Sequence, residues 1–212
     1  PGISFKSFKT LTKCSGSWSC DPSGGVFYPE YFKSHFTFND LTTEGPITAI
    51  RIEGPNQSVD YRIKKLSEEL KLGNNEFVIL ETEQSNIFWE KTKCLQVFSE
   101  LKNNLIRIVI PPSESFEVIN KIKIYDIKYF IDWGGNLIWV QLDNISLKIL
   151  REIKEIVSNA KGYLTVIKIE ENLKASVDIF TIDPIKYRIT EKIKKSFDPK
   201  RILNPGKMYS GI

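Results

Sequence analysis

Apolar and polar positions alternate along the chain with two spacings, one of two residues and one of three to four. The first spacing is typical of half-buried strands and the second of amphipathic helices. The strand pattern occurs at 46–52, 77–80, 104–110, 127–131, 137–142 and 163–169. The helical pattern occurs at 3–13, 59–70, 85–101, 114–123, 146–157 and 184–197. This order predicts an α+β fold, with an antiparallel or mixed sheet of the ferredoxin-like type covered by helices on one face.

Capping and turn residues mark several boundaries between these elements. Ser113 and Ser146 each precede a helical pattern, and a serine hydroxyl at that position can accept a hydrogen bond from a first-turn N–H. Asp132-Trp-Gly-Gly-Asn separates two strand patterns. Its paired glycines tolerate positive φ, so the sequence predicts a tight hairpin there.

The tail that follows the last helical pattern carries two turn signals. Asp198-Pro199 is expected to end the helix, because the residue before proline avoids the α region. Asn204-Pro205-Gly206 is expected to form a tight turn, with glycine at positive φ. Ile202 and Leu203 lie between the two signals and are expected to be buried. The tail is therefore predicted to be ordered.

Composition narrows the class of protein. The chain has 212 residues and a net charge of +4, with lysines spread along it, which favours a solvated surface over a nucleic-acid-binding stripe. A basic RNA-binding domain stays open as an alternative. There is no apolar run long enough to span a membrane. Three cysteines without a CxxC pair predict free thiols in a reducing cytoplasm.

Few residues offer catalytic chemistry. His35 is the single histidine, so no Ser-His-Asp triad can form. It lies among phenylalanines, which favours a structural role. Arg107 lies in the middle of an apolar strand pattern. Its guanidinium either faces solvent or recognises a carboxylate, and the sequence leaves both possibilities open.

Three motifs occur in one order: Arg51-Ile-Glu-Gly followed by Ser58-Val-Asp-Tyr-Arg, then Asp132–Trp139, then Phe197–Tyr209. This order resembles the FAD-linked oxidases of the vanillyl-alcohol oxidase superfamily, and most of all the C-terminal half of the bacterial glycolate oxidase (glycolate dehydrogenase) E subunit. The resemblance implies a substrate-side cap domain over residues 1–183. It also implies that residues 184–212, the last helix and a C-terminal clasp, pack on a flavin domain.

The resemblance also implies roles for individual residues. It places Asn204, Gly206 and Lys207 beside the cofactor, and Arg107, Asp132, Trp133 and Trp139 on the substrate side. The hairpin of the catalytic relatives carries two histidines. Here Asp132 and Trp139 stand in their places, and neither side chain reproduces imidazole chemistry. No catalytic residue and no metal ligand is therefore expected in this chain.

The cofactor implied is FAD, bound mainly by an N-terminal domain with a glycine-rich loop that this sequence lacks. The implied function is to complete the flavin pocket of a 2-hydroxy-acid (glycolate-like) oxidoreductase. The implied partners are an FAD-binding domain, in cis or from a neighbouring chain, a catalytic FAD subunit and an iron–sulfur subunit. The expected location is the cytoplasm, either free or on the inner face of the membrane through those subunits. The alternative is a non-catalytic interaction module or an inactive remnant of a split gene.

Overall fold

The computed structural model describes residues 20–36, 45–70, 77–98, 104–181, 183–207 and 209. The strands are β1 (Gly24–Tyr28), β2 (Ile47–Arg51), β3 (Asn104–Val109), β4 (Ile127–Asp132), β5 (Leu137–Leu142) and β6 (Tyr163–Lys168). The α-helices are α1 (Asn56–Leu70), α2 (Thr82–Lys93), α3 (Pro112–Ile122), α4 (Leu147–Asn159), α5 (Glu171–Lys174) and α6 (Pro184–Phe197). Short 3-10 helices occupy Glu30–His35, Gln96–Phe98, Lys123–Tyr125 and Trp133–Gly135.

The strands form one sheet in the order β2-β1-β4-β5-β3-β6. β1 runs antiparallel to β2, with Gly24 opposite Arg51 and Tyr28 opposite Ile47. β3 runs antiparallel to β6, with Arg107 opposite Thr165. The predicted α+β class with an antiparallel sheet is confirmed.

The chain divides into two compact units. The first comprises Pro1–Glu100 with Tyr129–Ile138, and the second comprises Leu101–Lys128 with Trp139–Ile212. The sequence predicts another boundary, between residues 183 and 184, which separates the cap domain from the C-terminal clasp. That boundary stays a prediction.

The core of the first unit is aromatic. Tyr28 lies at its centre, with ring centroids 4.6 Å from Phe36 and 4.8 Å from Phe130. Its hydroxyl donates to Oγ1 of Thr92, 2.9 Å away, so the buried polar atom is satisfied. Burial of the ring raises the pKa of Tyr28. His35 meets Phe32 edge-on, at 5.9 Å between ring centroids.

The core of the second unit is aliphatic. α3 and α4 pack against each other, and α4 packs against β6. α4 begins as predicted, because the hydroxyl of Ser146 accepts from the N–H of Ile149. The residues that this unit buries completely or almost completely include Ile106, Ile108, Ile119, Ile122, Val140, Leu142, Leu150, Ile153 and Val157.

Three local predictions need correction, and a fourth falls outside the described residues. The strand predicted at 77–80 is absent, and Val78 and Ile79 are exposed. Ser113 is not a cap, because the helix begins at Pro112, earlier than predicted. Proline is tolerated at the first helical position, where the backbone N–H has no partner within the helix. The helix predicted at 85–101 starts at Thr82 and gives way to a 3-10 turn after Lys93. The helix predicted at 3–13 lies outside the described residues.

Candidate functional site

The hairpin turn of the first unit combines one acidic and one exposed aromatic side chain. Oδ1 of Asp132 accepts from the N–H of Trp133, 2.7 Å away, and so caps the 3-10 turn. Trp133, Gly134 and Gly135 have φ values of 52°, 61° and 110°. Positive φ strains tryptophan but not glycine, so the two glycines confine the strain to one residue. The predicted glycine-dependent hairpin is confirmed.

Asp132 and Trp133 differ in their environments. Burial raises the pKa of the Asp132 carboxyl, and the hydrogen bond from Trp133 opposes that shift. The indole of Trp133 is 54 % exposed, which is unusual for so large an apolar side chain. The turn therefore presents a tryptophan to a potential ligand or partner, while Asp132 mainly organises the backbone.

Arg107 and Trp139 meet in the second unit. The Arg107 guanidinium carbon lies 6.0 Å from the centroid of the Trp139 ring, within the range of a cation–π contact. Both side chains are half-buried, whereas Ile106 and Ile108 on the opposite face of β3 are fully buried. An arginine held against an aromatic plane is pre-oriented and can still donate to an anion.

α6 is held to the second unit at the segment that precedes it. Nζ of Lys154 donates to the carbonyl of Asp178 at 2.6 Å. Thr181 exchanges hydrogen bonds with Leu164 of β6. Asp183 then caps α6 by accepting from the N–H groups of Ile185 and Lys186, at 2.8 and 3.2 Å. These bonds fix where the helix begins.

α6 directs its apolar side chains away from its own chain. Four residues at four-residue spacing share one face of the helix, and each is between 54 % and 84 % exposed: Ile185, Ile189, Ile193 and Phe197. We call them the outward stripe. The half-buried side chains lie on the other side of the helix and include Tyr187, Thr190 and Lys194.

A buried carboxylate organises the turn after α6. Asp198 is 5 % exposed and accepts from the N–H groups of Ile202 and Leu203 at 3.1 and 2.9 Å. Nζ of Lys194 lies 2.9 Å from the same carboxylate and also donates to the carbonyl of Leu203. The ion pair with Lys194 and these N–H donors lower the pKa of Asp198. We call Asp198, Lys194 and their bonded backbone the carboxylate lock.

The carboxylate lock corrects one expectation. Ile202 and Leu203 are not buried: they are 71 % and 61 % exposed. The lock binds their backbone N–H groups, and their side chains remain exposed apolar surface. In the sequence, the Asp198-Pro199 pair indicates the end of the helix but does not indicate that the Asp198 carboxylate also binds the turn.

The predicted Asn-Pro-Gly turn is confirmed. Asn204 and Gly206 have φ values of 46° and 68°, and the N–H of Lys207 donates to the carbonyl of Asn204 at 3.2 Å. All three residues are exposed. Beyond the turn, the ring of Tyr209 is buried, with its centroid 5.6 Å from that of Tyr187. The turn therefore projects between two anchored points.

The described residues include no cluster of His, Cys, Asp and Glu side chains that could hold a metal ion. Within the same ranges, every helix is too short or too polar to cross a bilayer. Cys20 and Cys94 are free thiols, the first buried and the second exposed.

Comparison with known proteins points to flavoenzymes. Residues 180–208 match the family model of FAD linked oxidases, C-terminal domain. This match covers α6, the carboxylate lock and the Asn-Pro-Gly turn. Among curated proteins, no sequence matches the chain significantly.

The fold also matches a solved oxidase. The structure of 4-ethylphenol oxidase from Gulosibacter chungangensis, in complex with isoeugenol, aligns with 97 % of this chain at a TM-score of 0.59 and 15 % identity. The alignment covers 52 % of the oxidase chain, so this chain spans about half its length. The predicted α+β fold is therefore shared with part of this oxidase chain. The family match is confined to residues 180–208, and the structural match shows the fold.

Proposed function

We propose that this chain is the C-terminal, substrate-side part of an FAD-linked oxidoreductase and that an FAD-binding domain completes it. In this proposal residues 1–183 cover the flavin and residues 184–212 attach to the FAD-binding domain. The observation that carries the proposal is the outward stripe of α6, which lies in the segment that matches the family model. A helix that points its apolar face into solvent has a driving force to bind another surface.

The residues of the Asn-Pro-Gly turn suit a place beside a flavin. Lys207 offers a cation, and the turn exposes backbone next to two residues at positive φ, Asn204 and Gly206. Such a turn can face an anionic or carbonyl-rich group. FAD, when bound, would accept the electrons of the oxidised substrate, while these three residues would contribute only contacts along one side.

The substrate class that we propose is a small 2-hydroxy acid similar to glycolate. Arg107, oriented by Trp139, would bind the carboxylate of such a substrate. Asp132 and Trp133 stay proposed substrate-side residues of the first unit. By the resemblance, an iron–sulfur subunit in the cytoplasm would be a further partner. Replacing Arg107 with alanine should raise KM for a 2-hydroxy acid by about 10- to 100-fold, the value of a charge-assisted hydrogen bond, with lysine restoring part of the loss. An unchanged KM would remove Arg107 from this role.

The proposal is tested by co-expressing the chain with the FAD-binding segment encoded beside it, in the same or a neighbouring reading frame. A stable complex that retains flavin through gel filtration is expected. Ile193→Glu should abolish the complex, because it places a charge in the outward stripe. Tyr61→Glu is the matched control, since Tyr61 is 64 % exposed in the first unit and lies outside the outward stripe.

Colourless protein that does not associate with the FAD-binding segment would contradict the proposal. It would favour the alternative, a non-catalytic interaction module or an inactive remnant of a split gene. A flavin-loaded complex that Ile193→Glu leaves intact would retain the flavoprotein assignment but would move the interface away from α6.

A further inference from the structure

We propose that the surface that receives α6 on the FAD-binding domain is an apolar groove with an acidic rim. This inference rests on the proposed function and specifies the chemistry of the partner. It follows from the distribution of charge around the outward stripe, which differs from that in the rest of the chain.

Positive charge is concentrated in the last part of the sequence. Residues 184–207 contain eight Lys or Arg and two acidic residues, a net charge of +6. The whole chain carries +4, so everything outside this segment has a net charge of −2. The moderate overall charge therefore conceals a strongly basic segment attached to a slightly acidic body.

The two acidic residues of the segment are already neutralised. Asp198 pairs with Lys194 within the carboxylate lock, and Glu191 lies 3.5 Å from Arg201. Six basic residues remain that form no ion pair within the described part of the chain: Lys186, Arg188, Lys192, Lys195, Lys200 and Lys207. One of them, Lys186, lies 4.2 Å from the centroid of the Tyr163 ring.

Helical geometry places these charges beside the outward stripe. Arg188 is three residues from Ile185, and Lys192 is three residues from Ile189, so both lie along one side of the stripe and form a row. Lys195 is two residues from Ile193 and faces away from the stripe. Lys186 flanks it on the opposite side. Both the row and Lys186 are exposed. An apolar strip between basic side chains is complementary to an apolar groove between acidic ones.

The observations favour a protein partner over an anionic lipid surface, although a basic amphipathic helix can bind either. Apolar exposure does not end with the helix: the carboxylate lock also fixes the backbone of Ile202 and Leu203, whose side chains are exposed. A fixed, irregular shape suits a matching pocket, whereas a fluid bilayer requires no such shape. The fold also spans only about half of the solved oxidase that it matches, which leaves the other half of such an oxidase as the occupant.

The test measures the Kd between this chain and the FAD-binding segment encoded beside it, as a function of NaCl concentration. Between about 0.05 M and about 0.5 M salt we expect roughly tenfold weaker binding, because salt screens exposed charges. Arg188→Glu combined with Lys192→Glu should weaken binding by about tenfold or more at low salt and reduce the salt dependence. Lys121→Glu combined with Lys148→Glu is the control, with the same change of charge on α3 and α4. Urea denaturation of each variant establishes that it is folded.

The outcomes separate this inference from the proposed function. Tight binding that neither salt nor Arg188→Glu/Lys192→Glu changes would overturn the acidic rim and leave the proposed function intact. Stronger binding to vesicles of phosphatidylcholine and phosphatidylserine than to the FAD-binding segment would overturn it in favour of lipid. A dimer of the chain alone that the double variant dissociates would overturn it in favour of a second copy. Absence of binding at every salt concentration would reject both the rim and the proposed function.

Discussion

α4 and α6 are amphipathic helices of similar length, and they use their apolar faces in opposite ways. α4 spans Leu147–Asn159 and buries Leu150, Ile153 and Val157 in its own unit. α6 spans Pro184–Phe197 and buries none of its residues. Both are capped by a side chain, so the difference does not come from how the helices start. An amphipathic pattern therefore indicates that a helix has an interface, but not that the interface lies within its own chain.

The energetic consequence follows from burial. Moving an isoleucine side chain from water into an apolar contact contributes about 1.5–3 kcal/mol. α4 contributes this free energy to folding of the second unit. The apolar side chains of α6 are still exposed, so the free energy of burying them is available for binding. The two helices should therefore respond to equivalent mutations in different assays.

The largest expected difference is between Ile153→Glu and Ile193→Glu. The first places a carboxylate among fully buried aliphatic side chains and should lower the free energy of unfolding by more than about 3 kcal/mol. The second changes an exposed position and should stay within about 0.5 kcal/mol of wild type. Urea denaturation of the chain alone measures both. Similar losses in the two variants would show that α6 is packed in solution.

Asp198→Ala should produce the next largest effect, on binding rather than on folding. Without the carboxylate, the N–H groups of Ile202 and Leu203 lose their acceptor and the turn loosens. We expect faster hydrogen exchange at both amides and roughly tenfold weaker binding to the FAD-binding segment, because the turn must then be ordered on binding.

The matched control is Asp60→Ala, an exposed aspartate of α1, which should change neither quantity. Unchanged exchange at Ile202 and Leu203 in Asp198→Ala would show that the carboxylate lock does not hold the turn.

Removing the side chains that cap the N-termini of α4 and α6 should have a smaller effect on stability. Ser146→Ala should lower the free energy of unfolding by about 1 kcal/mol, because α4 belongs to the cooperative core. Asp183→Ala removes an equivalent cap from α6, but we expect it to accelerate hydrogen exchange in the first turn of that helix without moving the urea midpoint. A shift of the midpoint by Asp183→Ala as large as that by Ser146→Ala would contradict this division.

The smallest effect concerns pH. The pKa of Asp198 is lowered in the folded chain, so the carboxylate lock stabilises the turn above the ordinary aspartate pKa of about 3.9 and is lost as pH falls through the lowered value. NMR amide shifts of Ile202 and Leu203 should therefore be constant from about pH 8 to about pH 5. Movement of these shifts within that interval would contradict an ion-paired Asp198.

The sequence predicted most of the elements whose pattern is long or capped. The bounds of β5 and α6 agree with prediction, and Ser146 caps α4 as expected. The prediction of a strand at 77–80 was wrong. A run of four apolar residues does not reveal whether another strand is available to pair with it. The prediction that Ser113 caps α3 was wrong because the helix already begins at Pro112.

The site was predicted less completely, for a physical reason. The family resemblance located the turn of Asn204, Gly206 and Lys207, and their placement beside a cofactor stays a prediction. Four-residue spacing in α6 was visible in the sequence, but whether that face points inward depends on tertiary contacts of Tyr187 and Lys194. The contact between Arg107 and Trp139 likewise depends on how β3 and β5 are placed in the sheet.

Hydrogen exchange of α6 and α4, with and without the FAD-binding segment, tests the central claim most directly. We expect binding to slow exchange at residues 184–203 and to leave residues 147–159 unchanged, because α4 is already buried while α6 gains its partner. A flavin-loaded complex in which exchange at residues 184–203 is the same as in the chain alone would contradict the account.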